Sequence, residues 1–235
     1  MKTIGLTHPG LKRVNNEDRY LIHEMEDSFV LLAVADGMGG EVAGEYAAEI
    51  TIKELAGMKH GSKNKERDLV LSIKRADQAI RRKADNNPAM EGMGTTVTCA
   101  LVNEELAYWA HVGDSRLYFF RQQNIIQVTK DQNMAQFLLD EGEITREEFS
   151  THPMRNLLEQ CVGCGDCKPV SGQFEVKSKD LLILSTDGLY RDVNTETMTS
   201  VLALPTSIKK RAKSLIQAAL DAGGRDNITI VIAEI

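Results

Sequence analysis

The sequence predicts an α+β fold in which two antiparallel sheets pack face to face and helix pairs cover their outer surfaces. Three observations carry that prediction. Segments 28–36, 180–186 and 227–234 are nearly unbroken apolar runs, which demand burial on both faces of a sheet. Short polar breaks at Asn103-Glu104 and Gln122-Gln123 read as hairpin turns, so the strands they join run antiparallel. Three other stretches repeat apolar residues at helical rather than strand spacing.

Strand signals at 3–8, 18–24 and 28–36 open the chain. A glycine-rich turn follows, and then a helix with Ala43, Tyr46, Ala47 and Ile50 on one face. A second helical stripe, Leu69, Ile73, Ala76 and Ile80, lies in the charged stretch from Lys63 to Ala84. Strands are expected at 95–103, 105–112, 115–121 and 124–128. Between Lys130 and Val162 the pattern changes to short polar helices: Asn133 to Glu141, Arg146 to Phe149 and about Arg155 to Cys161. That interruption, at about 131–162, reads as a small flap insertion of the kind that shapes substrate access. Strands at 170–177 and 180–186 come next, and the third stripe, Ile208, Ala212, Leu215, Ile216 and Ala219, stops at Gly223-Gly224. The strand at 227–234 closes the chain. Each helical stripe reads as a seam facing the core.

The 235 residues are 42% hydrophobic and 26% charged, an ordinary globular composition. No linker, repeat or low-complexity tract divides them, so residues 1–235 are expected to form one domain. A formal net charge of −6 offers no broad basic field and argues against nucleic acid as a partner. Met1-Lys2-Thr3-Ile4-Gly5 lacks the apolar core of a signal peptide, and no run reaches membrane-spanning length. The expectation is a cytoplasmic chain with no membrane partner. Four cysteines do not make a disulfide scaffold.

The chemistry is carried by four aspartates, each where an apolar strand meets glycine or asparagine. Phe29 to Ala35 ends in Asp36-Gly37-Met38-Gly39-Gly40, and Leu106 to Val112 ends in Gly113-Asp114-Ser115-Arg116. Leu181 to Leu184 leads through Ser185-Thr186 into Asp187-Gly188, and Asp226-Asn227 opens the last strand. A single Asp-Gly pair is usually only a turn. Four from strands spread over the whole chain are harder to dismiss. Carboxylates gathered in one cleft repel unless a cation sits among them, and oxygen ligands suit Mg²⁺ or Mn²⁺.

Arg13 with Asn16-Glu17-Asp18 precedes these motifs, and Gly94-Thr95-Thr96, His152-Pro153 with Arg155-Asn156, and Gly224-Arg225-Asp226-Asn227-Ile228-Thr229 complete the series. In order and approximate spacing the series resembles the metal-dependent protein serine/threonine phosphatases of the PPM (PP2C-like) family, in their compact bacterial form. The resemblance covers essentially the whole chain and implies an α-β-β-α sandwich. It implies that Asp36 bridges two Mn²⁺ or Mg²⁺ ions and that the Gly37 carbonyl is a further ligand. Asp187 and Asp226 would complete the pair, Asp18 would hold a metal-bound water, and Asp114 would serve a weaker third ion beside Asp187. Two such ions can acidify a shared water and clamp a phosphoryl oxygen. Arg13 matches the family's phosphate-binding arginine, and a planar guanidinium suits phosphate oxygens.

The activity so implied is removal of phosphate from serine or threonine in phosphorylated partner proteins, by a monomer opposing a serine/threonine kinase. A narrower enzyme reading is a phosphatase dedicated to one small regulator. An alternative from another class is an inactive phosphoprotein-binding module of the same fold, whose mark would be loss of the metal carboxylates. Asp18, Asp36, Asp114, Asp187 and Asp226 are all present.

Several residues stay open. Glu17 is either a metal-site acid or a surface or hydrogen-bonding one. Thr95, Thr96 and Ser115 fit backbone satisfaction better than chemistry. Arg116 is a candidate to pair with a site aspartate, and Arg13 has a surface ion pair as its bland alternative. Met38 stands where many eukaryotic relatives carry a histidine that serves as general acid, and methionine cannot donate a proton. Asp131-Gln132-Asn133 and Glu159-Gln160 also depart from the family pattern, both in or beside the flap. Cys161-Val162-Gly163-Cys164-Gly165-Asp166-Cys167 is read first as a glycine-rich loop, ahead of a redox-sensitive loop or a metal cluster. Cys99 falls in an apolar run as a core residue. His8, His23, His60 and His111 lack ligand spacing and are read as structural or surface residues.

Overall fold

A computed structural model of the chain describes residues 1–26, 28–40, 43–58, 64–149 and 151–235. In order the elements are β1 (Lys2–His8), β2 (Arg19–Glu24), β3 (Val30–Ala35), β4 (Gly37–Met38), α1 (Ala43–Ala56) and α2 (Lys65–Asp85). Then come β5 (Gly94–Thr95), β6 (Val97–Val102), β7 (Leu106–Val112), β8 (Arg116–Arg121), β9 (Asn124–Gln127), α3 (Met134–Asp140) and α4 (Arg146–Phe149). The chain ends with β10 (Val170–Glu175), β11 (Leu181–Ser185), α5 (Asp187–Tyr190), α6 (Thr195–Leu202), α7 (Ile208–Asp221) and β12 (Ile228–Glu234).

One sheet has the order β1-β12-β11-β8-β9 and the other β10-β7-β6-β3-β2, with a separate β4–β5 ribbon. Because successive strand residues face opposite ways, an unbroken apolar strand must be covered twice. In β3, Leu31 and Ala33 enter a core shared with α1 and α2, while Leu32 and Val34 enter the layer between the sheets. In β11 and β12, Ile183, Ile230 and Ile232 face α6 and α7, and Leu182, Leu184, Val231 and Ala233 face the other sheet. The result is the expected α-β-β-α sandwich.

Local sequence sets the connections. Gln122 and Gln123 both take left-handed φ, 50° and 63°, the conformation of a tight turn between β8 and β9. The β6–β7 turn is centred one residue later than expected: Asn103 N–H donates to Leu106 O, and the Asn103 side chain accepts from the amides of Glu105 and Leu106. Asn64 caps α2 by accepting from Arg67 N–H at 3.0 Å. Lys63 and His60 lie outside the described residues.

Three expectations change. Tyr46 leaves the α1 seam and is exposed, with the Lys83 ammonium 5.4 Å from its ring centre. The helix expected at about Arg155 to Cys161 is only a 3₁₀ turn, Pro153–Asn156, because Leu158 and Val162 pair in extended form with Asn133 and Thr95. Helix α6 was not expected. It starts at Asn194, whose side chain accepts from Thr197 N–H at 2.8 Å, and buries only Met198 and Leu202. No helix among the described residues is long and apolar enough to cross a membrane.

Candidate metal centre

Strand register brings the strand-end aspartates together. Arg19 of β2 lies opposite Ala35 of β3, and Val97 of β6 lies opposite Val112 of β7. In the other sheet Arg116 of β8 faces Ser185 of β11, which faces Ile230 of β12. Asp18, Asp36, Asp114, Asp187 and Asp226 each lie within a few residues of one of these positions. All five therefore sit at the same end of the sandwich. A cleft of about 380 Å³ opens there, lined by residues that include Arg13, Glu17, Asp36, Gly37, Asp114, Asp187, Arg191 and Asp226.

Backbone contacts make the corner tight. A side chain at Gly188 would place its Cβ 1.9 Å from Asn227 O, so only glycine lets the α5 corner close on the start of β12. Gly37 meets the same limit, 2.2 Å from Gly44 O. Asn227 accepts from Glu17 N–H and donates to the carbonyls of Pro9 and Asn15, which ties the loop carrying Arg13 beside Asp226. Thr95 Oγ1 donates to Asp36 O at 2.8 Å, Thr96 Oγ1 accepts from Asp36 N–H at 3.2 Å, and Thr96 and Ser115 share a hydrogen bond. These hydroxyls satisfy backbone and each other, as expected.

The electrostatics are lopsided. Among the described residues five carboxylates line the cleft, Glu17, Asp36, Asp114, Asp187 and Asp226, against the two guanidinium groups of Arg13 and Arg191. Asp18 lies buried beside them. Its Oδ2 accepts from Thr186 Oγ1 at 2.8 Å, but Oδ1 is buried without a hydrogen-bond partner. Burial pushes the Asp18 carboxyl up to about 7, against the nearby Thr229 hydroxyl and the hydrogen bond from Thr186, which favour its charged form. Burial also pushes Asp114 up to about 7, with Asp187 adding and Arg191 opposing. Asp36 is held well above the usual carboxylate range by burial and then by Asp187, Asp18, Asp114 and Asp226. Asp187 is raised by burial, with Arg191 opposing. Such a set favours any cation that can enter.

Two arginines compensate part of this charge. Arg13 Nη2 binds Asp226 Oδ2 at 2.9 Å, so the surface ion pair and a place in the cleft are both realised. Arg191, which the sequence reading did not single out, binds Asp187 at 2.7 Å and Asp114 at 3.1 Å. As they stand, no three or more His, Cys, Asp or Glu among the described residues are gathered closely enough to enclose an ion. Asp36, with the Gly37 carbonyl beside it, Asp187 and Asp226 remain an all-oxygen donor set, and the orphaned Asp18 Oδ1 asks for a donor. The residues present fit hard divalent cations.

Other expectations resolve differently. Arg116 pairs with Asp131, not with a site aspartate, through Nε–Oδ1 at 2.8 Å and Nη2–Oδ2 at 2.7 Å. Glu17 lines the cleft, half-buried. From the flap, Asn156 and Leu158 reach the cleft wall. Met38 also lines it, and no histidine among the described residues does. His111 is buried against Thr98, and burial lowers it to about 4, a structural residue as expected. Cys161 and Cys164 form a disulfide, Cys99 is buried, and Cys167 is free and half-buried. The signal for Arg191 was present as an Asp187–Arg191 pair at i,i+4, a spacing too common to point to a site.

Residues 7–146 match the family model of Protein phosphatase 2C. The serine/threonine protein phosphatase PstP of Mycobacterium tuberculosis is 36% identical over 228 residues, covering 96% of this chain and 43% of PstP. The chain thus spans less than half the length of that relative. Protein phosphatase PhpP of Streptococcus pneumoniae is 30% identical over 233 residues, covering 97% of this chain and 94% of PhpP. The crystal structure of the M. tuberculosis PstP/Ppp phosphatase is similar with a TM-score of 0.91 at 35% identity, covering 100% of this chain and 98% of that one. A PstP catalytic domain solved in complex with two manganese ions is similar at a TM-score of 0.89 and 34% identity, covering 99% and 97%.

Proposed function

The chain belongs to the protein phosphatase 2C family, and from that premise we propose that it hydrolyses phosphoserine and phosphothreonine in partner proteins at a binuclear Mn²⁺ or Mg²⁺ centre. The observation that carries this reading is the convergence of Asp36, Asp187 and Asp226 from both sheets into one cleft, with the unpartnered Asp18 Oδ1 beside them. Asp36 would bridge the two ions, with the Gly37 carbonyl as a further ligand. Asp187 and Asp226 would complete the set, and Asp18 would hold a bound water through its orphaned oxygen. When bound, the ions supply Lewis-acid activation of water and neutralise charge on the phosphoryl oxygens.

The chain's own groups do the rest. Arg13 carries guanidinium donors beyond the one on Asp226, and their planar fork suits two phosphate oxygens. The Arg13–Asp226 pair is more than half exposed on the arginine side, and such a pair exchanges partners at little cost. Asn156 and Leu158 form the flap wall against which the rest of a phosphoprotein would lie. Asp114 faces Asp187 across Arg191, the pair at which the resemblance places a weaker third ion. The physiological reading is a cytoplasmic monomer, acting as one domain, that reverses the work of a serine/threonine kinase.

Hydrolysis of p-nitrophenyl phosphate and of a phosphothreonine peptide, with Mn²⁺ and with chelator, tests this. Turnover with Mn²⁺, loss in chelator and recovery on adding Mn²⁺ back are expected. Turnover indifferent to chelator would overturn the metal centre. Mn²⁺ binding with no turnover on any phosphoprotein would favour the inactive binding module.

A further inference from the structure

We propose that Arg191 is a built-in cation that holds Asp114 and Asp187 together where a third metal ion would otherwise sit, so that this chain carries two ions rather than three. The proposal deepens the metal-centre reading and rests on it. Arg191 follows the four-residue helix α5, one turn beyond Asp187, and its two terminal nitrogens divide between the acids. Nη1 lies 2.7 Å from Asp187 Oδ2, and Nη2 lies 3.1 Å from Asp114 Oδ2. One Oδ2 atom of each acid is thus already engaged by a single charged fork.

Asp114 is also held from behind. Tyr190 OH donates to the backbone carbonyl of Asp114 at 2.9 Å, so adjacent residues grip Asp114 by main chain and side chain. The Arg116 guanidinium carbon stacks 3.5 Å from the centre of the Tyr190 ring, and Arg116 is itself anchored to Asp131. The contrast with Arg13 is one of access. Arg13 and Asp226 are 57% and 33% exposed, whereas Arg191 and Asp114 are 26% and 4% exposed. Water can replace the first pair as it opens. Displacing Arg191 would leave a guanidinium, which cannot lose its charge, part-buried beside divalent ions.

Mn²⁺ bound per chain, counted by equilibrium dialysis and calorimetry on the metal-stripped full chain, tests this without reference to turnover. Wild type should saturate at about two ions and Arg191→Ala at about three, with Arg191→Ala/Asp114→Asn returning to about two. Arg191→Gln keeps hydrogen-bond donors near Asp114 but no charge, and serves if the alanine variant does not fold; it too should gain an ion. A wild type that binds three ions, one of them lost in Asp114→Asn, overturns the proposal. So does a folded charge-free variant that still binds two, including one whose only defect is weaker binding of inorganic phosphate. A wild type that binds no Mn²⁺ at all overturns the metal centre itself, a result distinct from either.

Discussion

Two groups of buried aspartates in this molecule have opposite electrostatic settings. At the two ends of β8, Asp131 and Asp180 are each matched by an arginine with two hydrogen bonds. Arg116 holds Asp131 at 2.8 and 2.7 Å, and Arg121 holds Asp180 at 2.8 and 2.6 Å. Their remaining acceptor capacity is also used, by Gln127 Nε2 on Asp131 and Lys177 N–H on Asp180. At the cleft the same residue type is left in excess: Asp114 and Asp187 share one arginine, and Asp18 Oδ1 has no partner. Paired acids are architecture. Carboxylates that outnumber their cations keep a site waiting for charge.

The largest effect that would test this contrast is on turnover. Asp36→Asn removes one of the crowded charges while keeping the side chain's shape. Turnover with Mn²⁺ should fall by about three orders of magnitude or more, whereas the metal-free melting temperature should hold or rise as repulsion eases. Steady-state kinetics and thermal melts read both. Near-wild-type turnover in a folded Asp36→Asn protein would place the chemistry elsewhere.

The paired acids should respond the other way. Arg116→Ala leaves Asp131, 3% exposed, as an uncompensated buried charge. The expected loss is about 3–5 kcal/mol of unfolding free energy, read by urea denaturation, with Mn²⁺ affinity little changed. A drop in Mn²⁺ affinity as large as the drop in stability would erase the distinction between the two groups.

pH sharpens the comparison further. Burial raises Asp18 and Asp114 to about 7 from 3.8, so between those values the folded metal-free chain binds protons that the unfolded chain has released. Their contribution to stability is fully present below about pH 4 and is lost as pH rises through about 7. In chelator the chain should resist urea better at about pH 5.5 than at about pH 8, and Mn²⁺ should abolish that preference by taking the place of the protons. Equal stability at both pH values in chelator would mean that the cleft acids are already satisfied.

How much of this was legible in the sequence follows from the range of each interaction. The strands could be read because Leu31 to Ala35 and Leu181 to Leu184 are apolar without a break, and Ile228 to Ala233 is broken only by Thr229. Asp36, Asp114 and Asp187 could be read because each follows the end of an apolar strand, and Asp226 because it precedes the start of one; antiparallel register then gathers these strand ends. What escaped depends on pairings between distant segments. Arg191 meets Asp114 across 77 positions, and Arg116 finds Asp131 rather than a site acid. Helix α6 escaped because two buried residues, Met198 and Leu202, make no visible stripe. The segment after Asn156 was read as helix because its pairing partners, Asn133 and Thr95, lie far away in sequence.

The smallest expected effect concerns the cysteine loop, which backs the cleft without lining its acid face. Val162 exchanges two backbone hydrogen bonds with Thr95, at 3.0 and 2.8 Å, and Thr95 Oγ1 in turn holds Asp36 O. The Cys161–Cys164 bond spans only three positions, so in the chain-entropy account it restrains little of the unfolded state, about 2 kcal/mol at most. Asp36 is placed by β3 and by Thr96 as well as by Thr95, so no step of that path depends on sulfur. Serine at Cys161, Cys164 and Cys167 together should leave turnover close to wild type and lower the melting temperature by about 2–8 °C at most. Turnover and melts of wild type with and without a dithiol reductant, beside the triple-serine variant, check this. Reversible loss of turnover on changing the redox state of wild type, absent from the triple variant, would show that the loop moves Asp36 through Thr95. The cleft's excess charge would then be under the control of a bond outside it.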